Sequence, residues 1–280
     1  MGIETTRGCP ERCIFCPDPV VKGNTVRLRP PAAIVQEFRN LLTQGVSWFH
    51  TCDSEFNKAP DHAKDLCRAI IEGGLGDSIH WYAYCSPVPF DSELASLMKR
   101  AGCLGINFGV DSLCDEQLIR LGRGHTVGDV EEIVTPLRKE GLNYIFDLLI
   151  GGPGETPGTV RTTIDTVRRL GVPLAGIAAG VRVYPGTPLG RAVAEGTIRE
   201  GLYPDAGTEP HEPLFYLSPG LGSDALPLIQ ELVSGDPHFL FLTSPSDEAS
   251  YNYADDDSLS RVIEDGARGA YWDIISRNRQ

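Results

Sequence analysis

The stretch GCPERCIFC at residues 8–16 decides how the rest of the chain is interpreted. It places Cys9, Cys13 and Cys16 at C-x3-C-x2-C spacing, directly after the strand-like segment 2–6. Thiolates this close along a chain can converge on one inorganic centre, and soft sulfur ligands select zinc, cuprous ion or an iron–sulfur cluster. The stretch therefore predicts a metal site near the start of the chain.

The number of ligands separates these kinds of centre. A structural zinc site is closed by four donors, and no fourth Cys or His follows at local spacing. A 4Fe–4S cluster held by three cysteines leaves one iron open to a small molecule. A zinc knuckle or a disulfide loop is the alternative, but no signal peptide is evident, and eight cysteines then indicate thiols or metal ligands.

The three-cysteine loop, with the aromatic Phe15 just before its last cysteine, resembles the signature of the radical S-adenosylmethionine (SAM) enzymes. In that family three cysteines hold a 4Fe–4S cluster, and the open iron chelates the amino and carboxylate groups of SAM. One electron then cleaves SAM to methionine and a 5′-deoxyadenosyl radical, which abstracts hydrogen from a substrate. The resemblance implies that Cys9, Cys13 and Cys16 are the metal ligands.

Composition disfavours several other kinds of partner. The net charge of −13 argues against nucleic acid, which would need a basic face. The charge is uneven, since residues 1–140 carry 15 Lys and Arg against 19 Asp and Glu, while residues 141–280 carry 10 against 19. No apolar run approaches the roughly 18 residues that a membrane span needs. We therefore predict a cytoplasmic protein that contacts no membrane.

Strand-like and helix-like segments alternate through the first two thirds of the chain. The predicted strands are residues 2–6, 46–52, 79–85, 104–110, 143–150 and 177–184, and the predicted helices are residues 32–42, 60–71, 91–101, 114–121, 127–140, 158–170 and 188–195. Six successive β–α units imply a parallel sheet with right-handed crossovers, whose functional residues gather where the strands end. The family resemblance implies the same α/β fold, a partial (β/α)6 TIM-like barrel.

Residues 201–280 differ in character from the barrel predicted for residues 1–200. They contain turn-rich segments, a predicted helix at 223–233, a short apolar run at 239–242 and a last predicted helix at 259–276. We interpret this part as a C-terminal α+β extension that caps the barrel mouth and shapes specificity. Its candidate substrate-facing residues are Tyr216, Tyr251 and Tyr253.

A polar segment, Asp53-Ser54-Glu55-Phe56-Asn57, follows the second predicted strand. It is similar to the family's Gly-Gly-Glu segment, whose carboxylate accepts hydrogen bonds from the amino group of SAM. The resemblance implies this role for Glu55, although Asp53 and Ser54 stand where the family has glycines. An ordinary acidic turn before a helix is the alternative.

The fourth predicted strand ends at Asp111 and Ser112, and a helix then leads to Arg123. This pattern is similar to that of several radical SAM branches, in which a polar pair at the strand end contacts the SAM ribose. The later arginine pairs there with the SAM carboxylate, which a planar guanidinium suits. The resemblance implies that Asp111, Ser112 and Arg123 bind SAM, the alternative for Arg123 being a solvated cation at a helix end.

Three polar residues interrupt otherwise apolar strands: Asn107, Asp147 and Arg182. Period-two alternation places Asn107 on the same face as Asp111. Side chains this polar are rarely buried without partners. Two interpretations stay open, an interior lined for a ligand and a buried Asp147–Arg182 pair between neighbouring strands.

The phrases at residues 4–10, 53–57 and 182–188 look most like the radical SAM branch often fused to an N-terminal cobalamin-binding domain. Members of that branch commonly methylate unactivated carbon, form rings or rearrange skeletons. This chain starts directly at the first strand and contains no Asp-x-His-x-x-Gly cobalamin-ligand motif. We therefore expect an enzyme that works without cobalamin, the alternative being a cobalamin-dependent methyltransferase core that lacks its upstream domain.

These observations together predict a radical SAM enzyme that cleaves SAM reductively and uses the 5′-deoxyadenosyl radical on a small organic substrate. The resemblance implies a 4Fe–4S cluster and SAM as cofactors, and an external one-electron reductant such as flavodoxin or ferredoxin. Two alternatives come from other classes, an iron–sulfur electron carrier and a zinc-stabilised binding barrel. Neither of these explains Glu55 together with the pattern at residues 111–123.

Overall fold

The computed structural model describes residues 1–203, 213–222, 225–241 and 257–278. Its strands are β1 (Gly2–Ile3), β2 (Thr6–Arg7), β3 (Arg27–Leu28), β4 (Trp48–Thr51), β5 (His80–Cys85), β6 (Cys103–Asp111), β7 (Asn143–Ile150), β8 (Ala175–Ala179), β9 (Val181–Arg182), β10 (Leu202–Tyr203), β11 (Phe215–Tyr216) and β12 (Phe239–Leu240). Its helices are α1 (Asp18–Val21), α2 (Pro31–Leu42), α3 (Pro60–Glu72), α4 (Ser92–Arg100), α5 (Asp115–Leu121), α6 (Val127–Glu140), α7 (Pro157–Leu170), α8 (Pro188–Ala194), α9 (Ala225–Val233), α10 (Asp257–Glu264) and α11 (Tyr271–Asn278).

One parallel sheet organises the chain, with strands in the order β1-β4-β5-β6-β7-β8-β12. Each of its ladders is parallel, for example Asn107 beside Ile145 and Asp147 beside Gly176. Helices separate successive strands, as parallel pairing requires. No pairing among the described residues joins β1 to β12, as expected for a barrel that is only partial. The predicted α/β fold class is confirmed.

The two faces of the central strands have different neighbours. On β6, Ile106, Phe108 and Val110 are buried in the main hydrophobic core, together with apolar residues of the surrounding helices. Because side chains alternate along a strand, Asn107 and Gly109 face the interior of the partial barrel. The same alternation directs Asp147 of β7 inward. Polar interior positions are thus held on rigid strands.

The sixth predicted strand, residues 177–184, is not continuous. It divides at Gly180, whose φ of +85° lies in the left-handed region that favours glycine. β8 precedes this glycine and stays in the main sheet, whereas β9 follows it and pairs antiparallel with β11. A local sequence pattern could not separate the two parts, because β11 comes from the distant segment 213–222.

The last predicted helix, residues 259–276, is also wrong as a single element. It is divided into α10 and α11 by a segment in which Gly266 and Gly269 have φ values of +102° and +132°. These conformations are incompatible with a continuous helix. The predicted strand 2–6 is likewise two elements, since β2 pairs with β3 outside the main sheet.

The described part of residues 201–280 contributes to both ends of the sheet interior. β12 extends the main sheet beside β8, and Phe215 of β11 lines a cavity where the strands end. Trp272 of α11 instead packs near Gly105, in the first half of β6. The division at residue 200 and a cap over the mouth stay predictions, and Tyr251 and Tyr253 lie outside the described residues. Tyr216 is buried, in β11.

Candidate functional site

The cysteine loop is fastened to the barrel by backbone hydrogen bonds. Cys9 N donates to Gly23 O at 3.0 Å, and Ile14 N donates to Leu121 O at 3.0 Å, at the end of α5. Ile14 O in turn accepts from Leu189 N of α8 at 2.9 Å. The loop is therefore held in place from two sides by the helix ends of the barrel.

A close approach of backbone makes glycine necessary beside this loop. Gly122 follows α5 with a φ of +71°, and a Cβ there would lie 2.6 Å from Arg12 O of the cysteine loop. A side chain at this position would push the loop away from α5. Arg123, the next residue, is thereby set against the cysteines.

The three cysteines are the buried or half-buried thiols of this loop. Burial raises the pKa of Cys9 to about 11 and that of Cys16 to about 12. Burial also raises the pKa of Cys13, an effect that the nearby Arg123 opposes. Such thiols are protonated at neutral pH when free, and binding a metal centre would displace their protons.

The donor set matches a cluster better than a single metal ion. Among the described residues, no group of three His, Cys, Asp or Glu side chains is arranged to hold one ion. A 4Fe–4S cluster needs no such compact group, because each thiolate binds a different iron atom. Three cysteines on one loop can meet this requirement, and their role as cluster ligands stays a prediction.

Arg123 joins the cysteine loop to the predicted SAM residues. Its Nη1 donates to Cys13 Sγ at 3.2 Å, its Nη2 lies 3.4 Å from Glu55 Oε1, and its Nε lies 3.2 Å from Asp111 Oδ2. Nη2 also donates to the carbonyl of Gly109. The structure thus brings together three of the four residues predicted to bind SAM, directly beside a predicted cluster ligand.

Elements of the sheet position each member of this group. Glu55 follows β4, and Asp111 ends β6 with a φ of +62°, an uncommon value for a residue other than glycine. Lys58 lies 3.2 Å from Glu55 Oε2 and 2.6 Å from Glu11 Oε1, which links Glu55 to the cysteine loop. The group therefore gathers at the carboxyl ends of the strands, as the fold predicts.

Glu55, Asp111 and Arg123 form ion pairs with one another but do not satisfy all of each other's hydrogen-bonding atoms. Burial raises the pKa of Asp111, which the positive charge of Arg123 opposes. Burial also lowers the pKa of Arg123, but Asp111, Cys13 and Glu55 raise it overall and keep the guanidinium charged. Glu55 Oε2, Asp111 Oδ2 and Arg123 Nε are buried without a hydrogen-bond partner, although each has an opposite charge within 3.2 Å. The ion pairs offset the charges but leave hydrogen-bonding capacity on these three atoms, which a ligand can use.

Ser112 does not belong to this group. Its hydroxyl lies 3.0 Å from Thr163 Oγ1 of α7 and accepts a hydrogen bond from Cys114 N at 3.2 Å. These bonds direct the side chain toward the outer helices and away from Arg123. The position of Ser112 therefore gives no support to the predicted contact with the SAM ribose.

Two buried acids that organise the strand ends were not assigned a role from sequence. Asp53 accepts hydrogen bonds from Thr5 N at 2.6 Å and Thr6 N at 2.9 Å, which ties the start of the chain to the loop after β4. Glu155 accepts from the backbone of Gly151 and Gly152, closing the glycine-rich corner after β7. Acidic residues next to strand ends were the available signal, but their partners depend on the tertiary fold.

Asp147 and Arg182 do not form the ion pair considered from sequence. Asp147 Oδ2 instead accepts a hydrogen bond from Asn107 Nδ2 at 3.1 Å. The guanidinium carbon of Arg182 lies 5.0 Å from the centre of the Tyr184 ring. No ion pair between described residues joins the two strands here, and both side chains line one cavity of about 360 Å³. The ligand-lining interpretation is therefore the one the structure favours.

Comparison with known proteins identifies the family. The model of the radical SAM superfamily matches residues 3–167, more than half of the chain. The chain belongs to the radical SAM superfamily. Radical SAM proteins are enzymes whose cofactors are a 4Fe–4S cluster and SAM, so the predicted enzyme class and cofactors are confirmed at the level of the family.

The individual relatives include methyltransferases. The chain is 34% identical over 206 residues to a tryptophan 2-C-methyltransferase of Streptomyces laurentii, a match that covers 69% of this chain and 34% of the relative. It is 29% identical to an uncharacterized methyltransferase of Pyrococcus horikoshii, covering 67% of this chain and 40% of the relative. These curated relatives are thus more than twice as long as the segment they share with this chain.

A solved structure extends the similarity over nearly the whole chain. The radical SAM methyltransferase TsrM of Kitasatospora setae, with a tryptophan substrate and a SAM analogue bound, superposes with a TM-score of 0.87 at 30% identity. That match covers 99% of this chain and 61% of the TsrM chain. Another TsrM structure holds cobalamin and a 4Fe–4S cluster.

No helix in the described part of our chain is long and apolar enough to cross a membrane.

Proposed function

We propose that this radical SAM protein binds a 4Fe–4S cluster through Cys9, Cys13 and Cys16, cleaves SAM reductively and uses the radical to modify a small organic molecule. The observation that carries this proposal is the placement of Arg123, with Glu55 and Asp111, directly beside Cys13. When bound, the cluster would pass one electron from an external reductant, of the flavodoxin or ferredoxin kind, to SAM. The cytoplasm, where thiols stay reduced, suits this chemistry.

The polar residues beside the cysteine loop can bind the charged and hydroxyl groups of SAM. Arg123 offers a planar, permanently charged guanidinium to the carboxylate. Glu55 offers a buried carboxylate oxygen to the ammonium group, and Asp111 has an oxygen left for a hydroxyl. Burial of the group in the barrel strengthens these interactions, because the local dielectric constant is lower than that of water.

A second candidate is cobalamin-dependent methyl transfer from SAM to an aromatic carbon. It is favoured by the TsrM superposition, which covers 99% of the chain and therefore includes the segment after residue 200. The tryptophan methyltransferase relative supports the same reaction class. In this case the chain would supply the SAM-binding and cluster-binding part of a longer enzyme, contrary to the expectation that no cobalamin is used.

Analysis of the products made from SAM distinguishes the two candidates. Protein reconstituted without oxygen is incubated with SAM and dithionite, with and without added cobalamin, and the nucleosides are separated. 5′-Deoxyadenosine supports reductive cleavage, whereas S-adenosylhomocysteine formed only with cobalamin supports methyl transfer. Formation of 5′-deoxyadenosine by the C13A variant at the wild-type rate would overturn the cluster assignment. C52A is the matched control, because Cys52 is exposed and outside the cysteine loop.

A further inference from the structure

Lys58 is a buried lysine that directly follows the polar segment 53–57. It ends the short helical turn Phe56–Lys58, and its side chain is only 8% exposed. Lysine usually keeps its ammonium group in water, so a buried lysine needs partners that replace the lost hydration. The partners of Lys58 come from three separate segments of the chain.

The ammonium group of Lys58 lies among oxygen atoms from these three segments. Its Nζ lies 2.6 Å from Glu11 Oε1, which belongs to the cysteine loop. It lies 3.2 Å from Glu55 Oε2, in the segment after β4. It also donates a hydrogen bond to Val88 O at 2.9 Å, in the segment after β5. One charged group therefore connects the cysteine loop with the ends of two neighbouring strands.

The segment after β5 gives this connection a fixed anchor. The side chain of Asn57 is fully buried, and its Nδ2 donates to Ser86 O at 2.8 Å while its Oδ1 accepts from Ser86 N at 2.9 Å. These two bonds hold the segment after β5 against the residue next to Lys58. Val88 O is thus presented by a backbone that is itself held in place, and it fixes where the ammonium group lies.

Glu11 is fitted closely on its other side as well. A Cβ at Gly124 would lie 2.9 Å from Glu11 Oε2, so the absence of a side chain there leaves room for this carboxylate. Glu11 stands between Cys9 and Cys13 in the chain. Its ion pair with Lys58 therefore holds the loop between two of the proposed cluster ligands.

A contribution to stability does not by itself account for a lysine at this position. Replacing a buried ion pair by apolar side chains of similar size is often neutral or stabilising, so a buried charge is weak evidence for a stabilising role. A positive charge beside an iron–sulfur cluster has a second effect, because net charge and solvent exposure help to set the reduction potential. A cation there favours the reduced cluster, which carries one more electron.

We propose that Lys58 is a positioning residue that holds the cysteine loop against Glu55 and, through its buried charge, makes the bound cluster easier to reduce. This inference rests on the proposed function, since it requires a cluster on the loop. Lys58 acts through Glu11 and Glu55, because its ammonium group is enclosed by their oxygens and that of Val88.

Two properties of protein reconstituted without oxygen test this role. One is the midpoint potential of the cluster, from a reductive titration followed by electron paramagnetic resonance, and the other is the rate at which an iron(II) chelator removes iron. K58M should lose iron roughly 10–100-fold faster than wild type, the usual scale for loss of an outer partner of a metal site, and its potential should be more negative. K58R keeps the charge and should keep the wild-type potential. K64M is the matched control, because Lys64 also pairs with two acids, Asp91 and Glu93, which are exposed.

E11Q separates the charge of Lys58 from its hold on the loop. This variant removes the partner of Lys58 in the loop but leaves the lysine charge in place. Iron should therefore be lost faster than from wild type, while the potential becomes less negative. The double variant K58M/E11Q should lose iron no faster than the faster single variant, since both changes break the same contact.

The combination of the two readouts decides the proposal. Potentials that shift in the same direction in K58M and E11Q, or a K58M potential equal to that of K64M, would overturn the role of the charge. Iron loss at the wild-type rate in K58M and E11Q, or effects that multiply in the double variant, would overturn the hold on the loop through Glu11. A wild-type protein that assembles no cluster would count against the proposed function instead.

Discussion

The two ends of the barrel interior use polar side chains in opposite ways. Where the strands begin, Tyr82 Oη donates to Asp273 Oδ2 at 2.5 Å, and Arg277 Nη2 lies 3.2 Å from the same oxygen. Where the strands end, Asp111 is buried and Glu55 and Arg123 are half-buried, yet each keeps a buried atom without a hydrogen bond. One end has satisfied its polar groups within the chain and the other has not.

This difference teaches which polar residues stabilise the fold and which serve a ligand. A buried polar group without a partner costs about 1–3 kcal/mol, so a chain that leaves several together gives up stability. Such a cost is expected at functional sites. The satisfied end is closed by α11, whereas the unsatisfied end adjoins the cysteine loop.

The largest expected effect comes from the cysteine loop. Replacing Cys13 by Ala removes one of the three proposed cluster ligands, and we expect reconstituted C13A protein to lose its iron and all SAM-dependent activity. Iron and acid-labile sulfide per chain are the measurement. C67A is a control, because Cys67 is fully buried in the main core and should cost stability without costing iron. Wild-type iron content in C13A would contradict the proposal that Cys13 binds the cluster, and with it the assignment of the strand ends to ligand binding.

Asp147, which lies between the two ends, should make stability depend on pH. Its pKa in the folded protein is about 7, against an ordinary value of 3.8, so its contribution to stability is lost as pH rises through about 7. The D147N variant has no carboxyl to titrate at this position and does not lose this contribution. The difference in unfolding free energy, D147N minus wild type, should therefore increase between pH 5 and pH 8 by on the order of 3 kcal/mol.

Denaturant unfolding of both proteins at the two pH values measures this difference. Asp111 and Asn107 face Asp147, and Arg182 lines the same cavity, and all three are present in both proteins. Because Asp111 is charge-coupled to Asp147, the measured difference reports these two acids together. A constant difference between the two proteins from pH 5 to pH 8 would show that Asp147 is not desolvated in the folded state.

Arg123 tests the unsatisfied end directly. R123Q removes the charge that faces Glu55, Asp111 and Cys13, and we expect SAM to bind roughly 10–100-fold more weakly, as for loss of a charged hydrogen bond. Equilibrium binding of SAM to anaerobic protein is the measurement. R169Q is the matched control, since Arg169 pairs with Glu131 on the outer surface. Equal SAM affinity in R123Q and wild type would contradict the role of Arg123.

Trp272 tests the satisfied end, with the smallest expected effect. W272F removes the indole donor and leaves Asn107 Oδ1 without its partner, which should cost about 1–3 kcal/mol of unfolding free energy. Iron content and SAM affinity should stay at wild-type values, because no contact joins Trp272 to the cysteine loop among the described residues. Thermal unfolding together with SAM binding separates the two effects. Loss of SAM binding in W272F would contradict the assignment of this end to stability.

Much of this arrangement could be predicted from sequence, because it follows from topology. Parallel strands end at one edge of a sheet, so Glu55 and Asp111 had to approach each other once the alternating pattern was recognised. The cysteine spacing, through its resemblance to the radical SAM signature, likewise predicts Cys9, Cys13 and Cys16 as metal ligands, and this stays a prediction. Arg123 needed the family pattern, since its distance along the chain from Cys13 gives no sign of their contact.

The parts that were missed depend on distant contacts or on glycine conformations. The family pattern pairs Ser112 with Asp111 at the strand end, and its contact with SAM stays a prediction, but sequence could not show that the Ser112 hydroxyl lies 3.0 Å from Thr163 Oγ1 of α7. The break at Gly180 arises because β11 captures the second half of the strand. The break between α10 and α11 could have been predicted, since Gly266 and Gly269 stand within the expected helix.

The most direct test of the central claim is electron paramagnetic resonance of protein reconstituted and reduced without oxygen, recorded before and after SAM is added. We predict about four irons per chain, as a 4Fe–4S cluster requires, and a spectrum that SAM changes in wild-type protein but much less in R123Q. A cluster whose spectrum is unaffected by SAM would make the protein an electron carrier. Zinc in place of iron would contradict the proposal that Cys9, Cys13 and Cys16 bind an iron–sulfur cluster.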